Sequence, residues 1–286
     1  MLEEHHTKCN LCPRKCGVNR KENKQGVCRA ERDVKIASFN LHYGEEPPIS
    51  GINGSGTIFF SGCTLGCVFC QNFPISQLFH GTYYNIEELA NILLYLQKKK
   101  AHNINLVSPT PYLYHFVKAL EIAKAKGFNL PIVYNTSGYE RVEIIRKLNG
   151  IVDVYLPDFK YSNNEIARRY SGVRDYVENA LKSIIEMFKQ VGKLKLDKNG
   201  IARKGLIIRH LILPDNTENS IRILNILKEN NLNQAYLSLM SQYFPAHKAS
   251  NFKEISRKIN FQEYNIVKEH ALNLGFNKGW FQDIYS

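Results

Sequence analysis

The sequence predicts an α/β fold built on a mostly parallel sheet, as an open sheet or as a full or partial barrel. Three observations carry that expectation. Six short apolar runs show the continuous hydrophobicity of strands covered on both faces. Amphipathic helical patterns lie between them. Strand and helix alternate at least five times. Right-handed crossovers then bring the strand C-termini to one end, where ligands bind in either architecture.

The runs are Thr57–Gly62, Asn103–Ser108, Pro131–Asn135, Val152–Pro157, Gly205–Leu213 and Ala235–Met240. After the first, Asn85 with Glu88 three residues on is a variant capping box, and Ile86, Leu89, Leu93 and Leu96 recur at helical spacing. Leu113, Phe116, Val117 and Leu120 form the next apolar face, closed by Gly127 at C′. Val142, Ile145 and Leu148 mark a third helix. Tyr176 to Gln190, Asn219 to Lys228 and Gln262 to Leu274 mark three more. Asn199-Gly200, between Leu196 and Ile201, reads as a small hairpin before the fifth strand. Residues 1–50 carry few helical signals and read as a Cys-rich extension laid on an α/β body of residues 51–286.

Hydrophobic residues make up 44% of the 286, enough for a core, so global disorder is excluded. No apolar run approaches the roughly 18 residues of a spanning helix, and the polar N-terminus has no secretory h-region. A cytoplasmic protein with no membrane partner is expected. The formal charge of +12 suggests a polyanionic partner. Scattered lysines, with Lys98–Lys100 the longest run, fit a merely solvated basic surface equally well.

All seven cysteines lie in the first 70 residues, in two clusters. Short spacers point to metal or Fe–S ligation rather than a disulfide framework. Cys63, Cys67 and Cys70 are spaced C-x3-C-x2-C directly after the first strand. Four thiolates close a cubane cluster, whereas three leave one iron open for substrate chemistry. A thioredoxin-type dithiol has no use for Cys63, and zinc with a distant histidine is the other metal reading. Cys9, Cys12, Cys16 and Cys28 are spaced C-x2-C-x3-C-x11-C, a closed set of four. The spacing suits structural zinc or a second Fe–S cluster alike.

The C-x3-C-x2-C loop after a first strand resembles the radical S-adenosylmethionine superfamily. The longer string CNLCPRKCGVNR, GEEPPISG, FSGC, CQN, SPT, NTSGYE, YLPDFKY, IRHLILP and MSQYFP resembles the pyruvate formate-lyase activating enzyme group, in its uncharacterised branch of homologues. The resemblance implies a partial (β/α)6 TIM-like barrel. It also implies a [4Fe–4S] cluster on Cys63, Cys67 and Cys70 whose open iron chelates S-adenosylmethionine. Reductive cleavage then gives methionine and a 5′-deoxyadenosyl radical that takes a hydrogen atom from the substrate. Reduced flavodoxin or ferredoxin is the implied electron donor.

The resemblance also carries roles to matching positions. Phe69 stands where an aromatic flanks adenine, with plain packing as the competing reading, and Asn72 matches a Cys-x-Asn. Ser108-Pro109-Thr110-Pro111 replaces the family's Gly-rich segment, which leaves Thr110 Oγ or a backbone carbonyl to hold the methionine amino group. Asn135 stands where the family has Asp and is expected at a ribose hydroxyl; alternatively Thr136 or Ser137 caps the next helix. Asp158 and Lys160 match Asp-x-Lys, as ligand contacts or as a mutual salt bridge. Arg209, inside an apolar strand, demands an anion, and the resemblance makes that the methionine carboxylate. His210 points to the opposite face and is expected in the core.

The expected function is radical chemistry on a protein glycine or another peptide position. Radical modification of RNA or of a small metabolite is the alternative. A zinc-stabilised nucleic-acid binding module without catalysis is the reading from another class.

Overall fold

A computed structural model describes residues 2–284. Met1, Tyr285 and Ser286, at the outer ends of the two expected regions, lie outside the described residues. The described residues form ten strands: β1 (Val34–His42), β2 (Ser55–Phe60), β3 (Thr82–Tyr84), β4 (Ile104–Val107), β5 (Ile132–Thr136), β6 (Val154–Pro157), β7 (Lys195–Leu196), β8 (Ala202–Leu211), β9 (Tyr236–Met240) and β10 (Gly279–Phe281). The helices are α1 (Glu4–Thr7), α2 (Pro47–Ser50), α3 (Phe73–Ser76), α4 (Ile86–Lys98), α5 (Leu113–Ala125), α6 (Val142–Lys147), α7 (Asn164–Ser171), α8 (Tyr176–Val191), α9 (Thr217–Glu229) and α10 (Phe261–Asn273).

The sheet runs β10-β9-β8-β6-β5-β4-β2-β1-β3, with β7 paired to β8. The six expected strands are β2, β4, β5, β6, β8 and β9, and they pair in parallel as the α/β reading requires. β10 adds a seventh parallel strand, while β1 joins β2 and β3 antiparallel. The first region therefore contributes a strand to the main sheet as well as a cysteine-rich segment. β10 and β3 end the row unpaired to each other, the topology of a partial barrel.

The helix signals act as chemistry dictates. Asn85 and Glu88 form both bonds of the capping box, at 2.9 and 2.8 Å, a cap worth about 1 kcal/mol. Leu89, Leu93 and Leu96 are fully buried behind it. Gly127 follows the C-cap with φ +89°, a conformation that favours glycine. Gly200 turns the β7–β8 hairpin at φ +76°. Neither Thr136 nor Ser137 caps α6, which begins without a side-chain cap.

Candidate active site

The C-terminal ends of the parallel strands surround a cavity of about 370 Å³, into which Cys67, Phe69, Cys70 and Asn72 open from the loop after β2. Asn135 from the end of β5, Asp158 and Lys160 from beyond β6, and Arg209 from β8 line the facing walls. Eight residues singled out from sequence thus meet in one space although up to 142 positions separate them (209 − 67).

Gly62 makes the sharp exit from β2 at φ +87°, and a Cβ there would stand 2.2 Å from the Cys28 carbonyl oxygen. Only glycine permits that approach. The loop is then fastened by Gly62 N–H to Ile75 O at 2.9 Å and Val68 N–H to Tyr170 O at 2.8 Å. The sulfurs receive polar neighbours. Leu65 N–H points at Cys63 Sγ at 3.4 Å, Ser171 Oγ donates to Cys67 Sγ at 2.9 Å, and Cys70 Sγ meets Ser76 Oγ at 3.2 Å. Tyr161 holds Ser171 through its hydroxyl.

Burial pushes the Cys63 thiol up to about 12, and the neighbouring Cys67 and Cys70 add to the rise. Burial also raises Cys67, opposed by the Lys160 ammonium beside it. Three crowded thiols resist losing their protons together unless a cation sits among them, which is what a metal cluster supplies. The donor set therefore fits an Fe–S cluster. Among the described residues, neither this loop nor the N-terminal quartet is already drawn into a group that would hold a metal ion. In the quartet, Cys9, Cys12 and Cys28 are buried and Cys16 is exposed. Cys12 is pushed up to about 12 by burial, with Cys28 and Cys9 near enough to contribute.

Several expected roles change. Arg209 has its anions within the protein. Nε donates to Asp158 Oδ1 at 2.9 Å, one terminal nitrogen to Glu45 Oε2 at 3.3 Å and the other to Asn135 Oδ1 at 2.6 Å. Arg209 thus lines the cavity with its charge already met within the protein and two of its five N–H donors left over. Asn135 correspondingly spends its carbonyl oxygen on Arg209 and keeps only its amide donors for a ribose. Asp158 and Lys160 form the mutual salt bridge. Together Lys160 and Arg209 hold the Asp158 carboxyl below its ordinary value against the opposing effect of burial.

Thr110 does not line the cavity. Its hydroxyl is buried and donates to Glu140 Oε1 at 2.6 Å within a group that includes Tyr134 and Thr136, away from the cavity lining. Phe69 lies edge-on to Tyr170 and Tyr243 with ring centroids 6.3 and 5.9 Å away while still bordering the cavity, so packing and lining coexist. His210 is a core residue as expected, bonded to Phe159 O and Ser220 Oγ at 2.8 Å each.

Sequence reasoning missed Glu45, Glu140 and Ser171. The first two lie in GEEPPISG and NTSGYE, strings noted for their resemblance and not for their carboxylates. Ser171, at the end of α7, carried no signal.

The Radical SAM superfamily model matches residues 57–222, more than half of the chain. An uncharacterised protein of Methanocaldococcus jannaschii, MJ0674, is 35% identical over 272 residues, covering 92% of this chain and 74% of that protein. A second from the same organism, MJ0808, is 24% identical over 244 residues, covering 79% and 66%. Among solved structures, anSMEcpe with bound AdoMet and Cp18Cys peptide superposes with TM-score 0.52 at 13% identity, over 77% of this chain and 60% of that one. SuiB of Streptococcus suis gives 0.50 at 12%, over 79% and 47%. The chain thus spans between about half and three-fifths of these solved chains, and they speak to the fold alone. With the cysteine loop, the parallel sheet and the family match in agreement, the chain belongs to the Radical SAM superfamily.

Proposed function

We propose that this radical SAM enzyme abstracts a hydrogen atom from a protein or peptide position, in the manner of a pyruvate formate-lyase activating enzyme acting on a glycine. The observation that carries the chemistry is one loop on which Cys67 and Cys70 line the lumen with Lys160 and Phe69 while Cys63 lies close to both sulfurs. A [4Fe–4S] cluster with an open iron supplies the electron and the chelation site for S-adenosylmethionine when bound. The chain's own part is positional. Ser171 and Ser76 orient the sulfurs, and Lys160 balances thiolate charge.

The peptide class rests on the resemblance of the motif string, and anSMEcpe has itself been solved with a peptide bound. Reduced flavodoxin or ferredoxin is the proposed donor, in a cytoplasm that keeps thiols reduced. Among the described residues no helix is long and apolar enough to cross a membrane. RNA as substrate is the second reading, favoured by the +12 charge.

Anaerobic, dithionite-reduced protein is expected to release 5′-deoxyadenosine from S-adenosylmethionine, and Cys67→Ala to abolish the release. Undiminished release by the variant would remove the loop from the chemistry. Extracts labelled with deuterium, fractionated and screened for transfer into 5′-deoxyadenosine, then identify the donor class. Label arriving only from an RNA fraction would displace the peptide reading.

A further inference from the structure

Past Arg209 lies a second compartment of about 530 Å³, floored by Glu45 and Glu46 and walled by Met240, Trp280 and Phe281. Glu45, Arg209, Met240 and Gln242 line both spaces, so the two adjoin across a shared wall. The floor is the turn from β1 into α2. Pro47 and Pro48 begin that helix, and Ile49 and Ser50 N–H groups bond the Glu46 carbonyl at 2.8 and 3.1 Å, which fixes the turn.

The charges here do not balance. Asp158 is met by Lys160 and Arg209. Glu45 is met by Arg209 at 3.3 Å and by the Asn105 amide at 2.9 Å. Glu46 is 8% exposed, and its Oε2 has no hydrogen-bond partner among the described residues. Asp283 also lines the compartment, so four carboxylates stand against Lys160 and Arg209. The Arg209 charge reaches Glu46 through space, but one Glu46 oxygen is buried without a hydrogen bond. A buried carboxylate without a partner is costly unless something of opposite charge comes to it. The chain as a whole carries +12, so this local excess of negative charge runs against its general bias. An aromatic wall beside a bare carboxylate is the pairing that holds an organic cation, one part accepting N–H and the other offering a π face.

We propose that this floor binds a cationic alkylammonium group of the substrate, with the Glu46 carboxylate as its acceptor and the Trp280 indole beside it. Such a group reaches the lumen as a lysine side chain or as a small amine. The arrangement holds that end of the substrate one compartment away from the cysteine loop and leaves a neighbouring C–H facing the cavity. It rests on the reading of the adjoining compartment as the S-adenosylmethionine site.

Trp280 is the sole tryptophan of the chain, so its fluorescence reports on this wall. Cluster-loaded protein is titrated anaerobically with n-butylammonium chloride, and with n-butanol and sodium butyrate as neutral and anionic matches. A saturable change with butylammonium alone is expected, with an affinity at least tenfold weaker in Glu46→Gln. The blocked peptide acetyl-Gly-Lys-Gly-amide is run in parallel. Tighter binding than butylammonium assigns the group to a side chain, and weaker binding assigns it to a small amine. An equal response to all three small probes, or no weakening in Glu46→Gln, overturns the proposal. Release of 5′-deoxyadenosine is measured in the same preparation. If release is present but cation selectivity absent, only the floor assignment fails. If release is absent, the radical SAM reading itself fails.

Discussion

Replacing Glu140 by Gln isolates one carboxyl whose protonation the fold controls. Glu140 is fully buried. Oε1 takes hydroxyl donors from Thr110 at 2.6 Å, Thr136 at 2.5 Å and Tyr134 at 3.3 Å, while Oε2 has no partner among the described residues. Burial raises the carboxyl from 4.5 to about 7, the three hydroxyls only partly offsetting it. The folded state therefore holds this proton more tightly than the unfolded chain. Below pH 4.5 both states are protonated and no cost arises. Between 4.5 and 7 the unfolded state ionises first, and stability falls as pH rises. That interval at about 1.4 kcal/mol per pH unit amounts to about 3 kcal/mol, fully lost by pH 8. Glutamine has no such proton to lose. Urea unfolding of wild type and Glu140→Gln from pH 4.5 to 8 should show a stability gap that grows in favour of the variant by about 3 kcal/mol. His6, His115 and His210, held neutral by burial with values near 4, destabilise the fold as pH falls and do so equally in both proteins. A gap that stays constant across the range would refute the buried, singly served carboxyl.

Arg209→Met removes the cation shared by Asp158, Glu45 and Asn135. A loss of about 3–5 kcal/mol in urea unfolding is expected from stranding buried carboxylates. Adding Glu45→Gln should recover part of it, and an unchanged midpoint in Arg209→Met would show that the guanidinium is not engaged as described. For the N-terminal quartet, a closed zinc or second Fe–S site is proposed. Cys12→Ser, with the catalytic loop intact, should lower metal per chain by one zinc or one cluster and speed amide exchange over residues 8–30. Identical metal content by plasma mass spectrometry would leave the four thiols without a metal role.

The fold was legible where burial is two-sided. Strands such as Ile104–Val107 and Ile132–Thr136 have almost no exposed position, so their sequence is a continuous apolar block. Val34–His42 escaped notice because its exposure varies along its length and polar residues interrupt it. Gly279–Phe281 is three residues long, too short for any periodicity to register. In the site, residues at strand C-termini were legible because the α/β architecture puts them around one cavity. Their partners were not. Glu45 meets Arg209 across 164 positions and Glu140 meets Thr110 across 30, and no local pattern encodes such pairings. Strand alternation still separated Arg209 from His210 correctly, since the period of two is a backbone property.

The basic balance of the chain takes on a different meaning once its arginines are followed to their acceptors. Arg14 donates to Thr64 O and Gly172 O at 3.0 Å each, and Arg29 to Gln77 O at 2.9 Å. Arg20 reaches Pro111 O, and Arg141 reaches Asn10 O at 2.6 Å. Charge-assisted bonds to carbonyls are stronger than neutral ones, and these five join the N-terminal region to the cysteine loop, the end of α3, the turn after β4, the start of α6 and the end of α7. Gly62 lies against the Cys28 carbonyl at the same junction. Part of the +12 thus serves as internal fastening, and net charge by itself is weak ground for a polyanionic substrate. The interior points the other way, because four carboxylates face two cations there and one Glu46 oxygen is buried without a hydrogen bond. A substrate chosen by the interior would be cationic where the exterior suggests an anion, and the interior is where hydrogen transfer must occur.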